Sequence, residues 1–209
     1  ISTVLDMVTE KCFMATLDLK DAYYCVRIDP DSQKYLRFVY DQKLYQYTVH
    51  PNGLSSCPRH FTKLMKPMLC VSREKGHLII FIDDLLILAT AYEKCCISIL
   101  ETIQLLSQLG FAINVDKSML IPLQQATFLG FVLNSVDMTL TLTQDKVHKI
   151  VSCISNLLSK KSPSIREVAQ VIGYMVSSFP AVKYGKCHYR ALENDKIEAL
   201  KISKGNFDS

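Results

Sequence analysis

Two adjacent carboxylates, Asp83 and Asp84, sit between the apolar runs Leu-Ile-Ile-Phe-Ile and Leu-Leu-Ile-Leu. An uncompensated carboxylate in such surroundings is costly. Neighbouring carboxylates also raise each other's pKa unless a cation offsets them. Two arrangements relieve the pair. It can stand at an exposed hairpin tip, where Asp is common, or it can face a cleft and be neutralised by a cation. In either case residues 78–82 and 85–89 read as two strands joined in a tight hairpin.

A third carboxylate bears on that choice. Asp18 ends its own apolar strand, residues 13–18. Three carboxylates arriving from adjacent strand ends could hold two Mg²⁺ ions roughly 3.5–4 Å apart. Oxygen ligands suit Mg²⁺, which also keeps waters and substrate phosphates in its shell.

The rest of the chain supplies the scaffold. A short helix is expected over residues 18–24, then a hairpin of residues 35–40 and 43–49 turning at Asp41-Gln42. Pro51-Asn52-Gly53 reads as a loop. A helix follows from residue 55 or 56 to 70, with Pro67 kinking or ending it. Residues 92–109 carry helical periodicity and Gly110 stops them. Residues 111–115 and 126–133 read as strands. The order β-α-β-β-α-β-β-α-β-β predicts an α+β fold, an antiparallel sheet with helices on one face. Beyond residue 140 the pattern turns helical, with helices over 144–158, from a capping box at Ser164-Ile165-Arg166-Glu167 to about 178, and over 186–202. A domain boundary is therefore placed at residue 140, giving units 1–140 and 141–209.

Charge follows the same division. Residues 1–140 carry 13 Lys/Arg against 14 Asp/Glu, while 141–209 carry 11 against 6. The basic third is what a segment touching a phosphate backbone needs, and equally what a solvated helical surface shows. The eight cysteines form no C-x-x-C pair and lie in apolar runs, so they read as reduced thiols of an intracellular protein. The longest apolar run, residues 78–90, is too short to span a bilayer. A first residue of Ile rather than Met reads as a fragment of something longer.

Five segments then resemble, in order, the palm motifs of reverse transcriptases. They are Leu17-Asp18-Leu19-Lys20-Asp21-Ala22-Tyr23-Tyr24, Pro51-Asn52-Gly53-Leu54-Ser55-Ser56-Cys57-Pro58 and Phe81-Ile82-Asp83-Asp84. Leu109-Gly110-Phe111 with Asp116-Lys117-Ser118 is similar to the fourth, and Phe128-Leu129-Gly130-Phe131 to the fifth. The wording is nearest to retroelements, the DIRS-like group first and the long-terminal-repeat group second.

This resemblance implies a right-hand polymerase palm with partial fingers, followed by a small helical thumb-like or connection region. It implies RNA-directed DNA polymerase activity: addition of deoxynucleotides to a primer 3′-hydroxyl on an RNA or DNA template, with two Mg²⁺ ions as cofactor and Mn²⁺ as a substitute. Asp18, Asp83 and Asp84 match the metal ligands. Leu19, Lys20, Asp21 and Ala22 would lie against the triphosphate, and Tyr23 matches the steric gate against a ribose 2′-hydroxyl. Asn52 and Gly53 fall at the nucleotide pocket. Gly53 lets the backbone approach the templating base pair without a Cβ. Lys117 matches a lysine that protonates the leaving pyrophosphate, and Phe128, Leu129, Gly130 and Phe131 match the hairpin that holds the primer end.

Several positions depart from the family pattern. Phe81 replaces the commoner Tyr, Asn52 stands where Phe or Gln is usual, and His50 stands where an apolar residue is usual. Little of the basic fingers region lies ahead of the first motif, with only Lys34 and Arg37 as partial substitutes. The resemblance thus implies fingers and ribonuclease H regions elsewhere in a parent polyprotein. The alternative is a non-catalytic, retroelement-derived relic that binds nucleic acid.

Overall fold

A computed structural model describes residues 1–73 and 77–208, with the side chains of 68–73 and 77 outside the description. The chain begins with helix α1 (Ser2–Met7) and strand β1 (Phe13–Lys20), followed by α2 (Pro30–Gln33) and the hairpin β2 (Arg37–Tyr40) and β3 (Lys43–Gln46). Helix α3 (Cys57–Arg73) leads to β4 (His77–Phe81) and β5 (Asp84–Ala89), and α4 (Tyr92–Gln108) to β6 (Ala112–Ile113). Strands β7 (Met119–Leu123), β8 (Gln125–Phe128), β9 (Phe131–Asn134) and β10 (Thr139–Leu142) follow. Helices α5 (Gln144–Ser159), α6 (Ile165–Ser178), α7 (Gly185–His188) and α8 (Arg190–Ile202) complete the described chain.

The main sheet runs β4-β5-β1-β6, with β7 also pairing with β1, and every pairing is antiparallel. Side chains alternate across a strand, and that alternation builds two cores. Ala15, Leu17 and Leu19 of β1, with Leu85 and Ile87 of β5, pack on Phe61 and Met65 of α3 and on Cys95, Ile99 and Leu106 of α4. Met14 of β1, with Leu86 and Leu88 of β5, faces the other way and packs on Val4, Ala126, Phe128 and Leu133. Each of the buried Leu, Ile, Val, Phe and Met side chains among them contributes about 1.5–3 kcal/mol. The expected α+β architecture is therefore present, with α3 and α4 on one face and the small sheet β10-β9-β8 against the other.

Local details differ from expectation for identifiable reasons. The helix expected over 18–24 is shorter, because β1 continues to Lys20. The chain then turns at Asp21, in left-handed conformation, into a 3₁₀ turn, Ala22–Cys25. Residues 126–133 are two strands, β8 and β9, because Leu129 and Gly130 both have positive φ and reverse the chain. The strand expected over 111–115 pairs only at Ala112–Ile113. Asn114 then donates its N–H to the Asp18 carbonyl at 2.8 Å, and a 3₁₀ turn begins at Val115. Pro67 does not end α3, which continues to Arg73. The last helix is interrupted at Tyr189, between α7 and α8. Strands β7 and β10 and helix α1 were not expected. The Asp41-Gln42 turn is as read, with both residues at positive φ. Seven cysteines are free thiols, and Cys70 lies outside the described side chains. Among the described residues no helix is long and apolar enough to cross a membrane.

Candidate active site

The β4–β5 hairpin closes on Phe81 and Asp84, leaving Ile82 and Asp83 as a two-residue turn. Ile82 takes φ +58. A β-branched residue rarely adopts that conformation, so the turn carrying Asp83 is held by its surroundings. The Asp83 carbonyl accepts the Leu19 N–H at 2.9 Å, which fastens the turn to β1.

Asp84 stands directly opposite Asp18 in the β1–β5 register. Directly opposed residues point to the same face. By alternation that is the face of Met14 and Leu86, away from α3 and α4. The backbone of Asp18 is tied on both sides: its N–H donates to Ser118 Oγ at 3.0 Å and its carbonyl accepts the Asn114 N–H. Ser118 Oγ in turn donates to the Asn114 carbonyl at 2.7 Å.

Two openings meet at Asp18. A cavity of about 370 Å³ has residues 18–24 on one side and Asn52, Asp83, Asn114 and Lys117 on the other. A second, of about 230 Å³, places Asp18, Asp84 and Lys117 against Thr127, Phe128, Leu129 and Gly130. The carboxylates, the lysine and the β8–β9 turn thus share one corner of the molecule. Burial pushes the Asp84 carboxyl above the usual carboxylate range, and the charges of Asp83 and Asp18 push it further, against the pull of Lys117.

A divalent cation suits that corner chemically. The donors are hard carboxylate oxygens, and the mutual repulsion that lifts Asp84 is what a cation relieves. The side chains as they stand are not a finished cage. Among the described residues no three His, Cys, Asp or Glu side chains are gathered closely enough to hold a metal ion. Asp83 opens into the larger cavity and Asp84 into the smaller, with Asp18 shared.

The other sequence-selected residues fall around this corner. Leu19 and Ala22 are buried in the helix-side core, although their segment lines the larger cavity. Lys20 and Asp21 are exposed at its rim. Tyr23 packs edge-on against Phe61, ring centroids 5.8 Å apart. Burial first, then the charge of Asp83, raises the Tyr23 phenol above its ordinary pKa. Asn52 donates to the Tyr24 hydroxyl at 3.3 Å. Gly53 has φ +91, a conformation that favours glycine, and open space on its side-chain face. Phe128 and Phe131 are both core residues, and Leu129-Gly130 between them reaches the carboxylates. Lys34 and Arg37 are elsewhere: Lys34 lies over the Tyr35 ring and Arg37 donates to Gln46.

Sequence reasoning gave no role to Ser118, Asn114 or Tyr24. Ser118 follows Lys117 directly, but its bond to Asp18 spans 100 residues and no local pattern announces it. His50, unusual for its position, is buried, and its Nδ1 has no hydrogen-bond partner among the described residues. Its ring lies 5.5 Å from that of His60, and burial followed by His60 lowers its pKa. The His50 N–H donates to the Val26 carbonyl at 2.9 Å, which anchors the start of the Pro51-Asn52-Gly53 loop.

An antiparallel sheet backed by helices, with carboxylates at paired strand ends, is the architecture of a polymerase palm. The chain belongs to the reverse transcriptase (RNA-dependent DNA polymerase) family, whose profile matches residues 2–133. It is 30% identical over 128 residues to the Gag-Pol polyprotein of gibbon ape leukemia virus, covering 57% of this chain and 8% of that protein. It is 24% identical over 173 residues to the transposon Tf2-3 polyprotein of Schizosaccharomyces pombe, covering 83% of this chain and 12% of that protein. The chain therefore spans about a tenth of the length of these relatives. They fit the long-terminal-repeat side of the expectation, and the DIRS-like affinity is not shown. Among solved structures, a foamy viral protease-reverse transcriptase in complex with double-stranded DNA matches with TM-score 0.69 and 22% identity. That match covers 97% of this chain and 32% of that one. The foamy viral enzyme with an RNA/DNA hybrid matches with TM-score 0.62 and 22% identity, covering 82% and 22%.

Proposed function

We propose that this chain is the polymerising part of an RNA-directed DNA polymerase from a retroelement polyprotein. Residues 1–140 form its palm with partial fingers, and 141–209 a thumb-like region. The supporting observation is the meeting of Asp18, Asp83, Asp84 and Lys117 at one corner beside the Leu129-Gly130 turn.

Asp18, Asp83 and Asp84 would hold two Mg²⁺ ions once their side chains turn toward one another. When bound, the ions offset the charge of the transferring phosphoryl group and activate the attacking hydroxyl. The remaining work belongs to the chain. Residues 19–22 form the floor under the triphosphate of the incoming deoxynucleotide. The Tyr23 ring, braced by Phe61, occupies the space a ribose 2′-hydroxyl would need. Asn52 and Gly53 border the nascent pair, and the Phe128–Phe131 turn holds the primer end near Asp18. The primer 3′-oxygen forms its bond to the α-phosphorus as the bond to pyrophosphate breaks, and the proton of the 3′-hydroxyl passes to solvent. Lys117 supplies a proton to the departing pyrophosphate.

Primer extension on an RNA template tests the reading, using the parent chain that contains this segment. Extension in Mg²⁺ is expected, and Asp83→Asn should reduce it by a factor on the order of 10³ or more. Normal extension by Asp83→Asn refutes the assigned role, and no extension by the parent refutes the enzyme. The absence of a three-ligand cluster among the described residues favours one second reading, a non-catalytic relative that binds nucleic acid. That reading requires primer–template binding without extension.

A further inference from the structure

Lys146 does not line the carboxylate corner, yet its side chain joins three elements. Its Cδ packs on Gly130, where an added Cβ would meet it at 3.3 Å. Its ammonium lies 4.1 Å from the centroid of the Phe131 ring. The same ammonium donates to the Ser177 carbonyl at 3.1 Å, in the last turn of α6. A cation there meets both the negative face of an aromatic ring and the negative end of a helix.

The backbone supports the same junction. Thr143 caps α5 by accepting the Lys146 N–H on Oγ1 at 3.4 Å, and the Thr143 N–H donates to the Gly130 carbonyl at 3.3 Å. Gly130 belongs to the turn that faces Asp18, Asp84 and Lys117. Lys146 therefore stands one residue contact away from the carboxylate corner, on the first turn of the helical region. Its half-buried stem accounts for a depressed pKa, but the junction rests on the contacts alone.

We infer that Lys146 is a positioning residue: it clamps the Leu129-Gly130 turn to α5 and α6 and so fixes the height of that turn beside the carboxylates. The inference rests on the proposed polymerase reading, in which that turn holds the primer end. A glycine at 130 fits this arrangement twice, through φ +76 and through its contact with the lysine stem. Movement of α5 and α6 would be passed to the turn through the contacts of Lys146 with Gly130, Phe131 and Ser177.

Two measurements on the parent chain test it, comparing wild type with Lys146→Met and Lys146→Arg. The first is amide hydrogen exchange at Thr143. Exchange about tenfold faster in Lys146→Met is expected, with wild-type rates in the β1–β5 core and recovery in Lys146→Arg. Unchanged exchange at Thr143, or equal acceleration throughout the chain, overturns the clamp. The second is primer-extension kinetics. Lys146→Met should lower kcat about tenfold while KM for the deoxynucleotide stays within about twofold, because the primer end and not the nucleotide pocket is displaced. Lys146→Arg should restore kcat. Wild-type kcat in Lys146→Met overturns the positioning role. Failure of the wild type itself to extend identifies the polymerase reading as the part that failed, and the positioning role falls with it.

Discussion

The hydroxyl of Ser118 accepts the Asp18 N–H and donates to the Asn114 carbonyl, so one side chain fixes the end of β1. Removing it leaves a part-buried amide without its partner. Ser118→Ala is expected to lower stability by about 1–3 kcal/mol, read as a lower urea midpoint. An unchanged midpoint would show that another group or water takes over the bond. The carboxylates differ from Ser118 in what they reveal to a sequence reader. Asp18, Asp83 and Asp84 each interrupt or end an apolar run and so stand out. Ser118 is one hydroxyl among many, and only the folded register brings it to Asp18. His50 lies between these cases: its type is unusual for the motif, while its burial and its Nδ1, unpartnered among the described residues, belong to the fold.

Among the elements, long periodic segments were legible and short pairings were not. Helices α4, α5 and α6 follow their apolar periodicity and caps closely. The Ser164–Glu167 box forms as written, with Ser164 Oγ accepting the Glu167 N–H and the Glu167 carboxylate accepting the Ser164 N–H. Its side chain also meets Lys160, and that bond, ahead of the one to Ser164, holds the Glu167 carboxyl below its usual range. Ser164→Ala is expected to cost about 1 kcal/mol, checked by thermal unfolding; no loss would mean that α6 is held by packing alone. Strands β6, β7 and β10 are two to five residues long. Their existence depends on partners distant in sequence, which periodicity cannot display. The Leu129-Gly130 reversal lies in the segment that resembles the family's fifth motif, yet its sequence reads as part of a single strand over 126–133, because Gly in an apolar run fits a strand irregularity as well as a turn.

Helix α4 also carries a pH dependence. Cys95 is fully buried against the sheet, and burial, followed by Cys96 and Cys12, pushes its thiol up to about 11. An unfolded cysteine titrates near about 8.5. Below that pH both states hold the proton and Cys95 adds no pH dependence. Between about 8.5 and 11 the unfolded state loses its proton while the folded state keeps it, so stability falls as pH rises. The urea midpoint should drop across this window, and Cys95→Ala should drop less. Equal slopes in the two proteins would show that the thiol does not titrate as its burial requires.

For the whole molecule, the two cores explain why the candidate site lies where it does. The odd-numbered face of β1 is consumed by α3 and α4, so the even-numbered face carries Asp18 toward β8 and β9. The same alternation in β5 turns Asp84 that way. The architecture expected from the order of elements is present, and the polymerase family is established by the match over residues 2–133. The relative placement of α5 and α6 on the β8–β9 turn was beyond the sequence. It depends on contacts such as Lys146 with Phe131 and Ser177, which join residues 15 and 31 positions apart.

On the proposed reading, Asp18, Asp83 and Asp84 together bind the divalent cations. Titration of the 209-residue chain with Mn²⁺, followed by electron paramagnetic resonance, measures this without requiring activity. Saturable binding is predicted, competed by Mg²⁺ and weakened about tenfold or more in both Asp18→Asn and Asp83→Asn with folding intact. Absence of saturable binding, or binding unchanged in both variants, would contradict the claim.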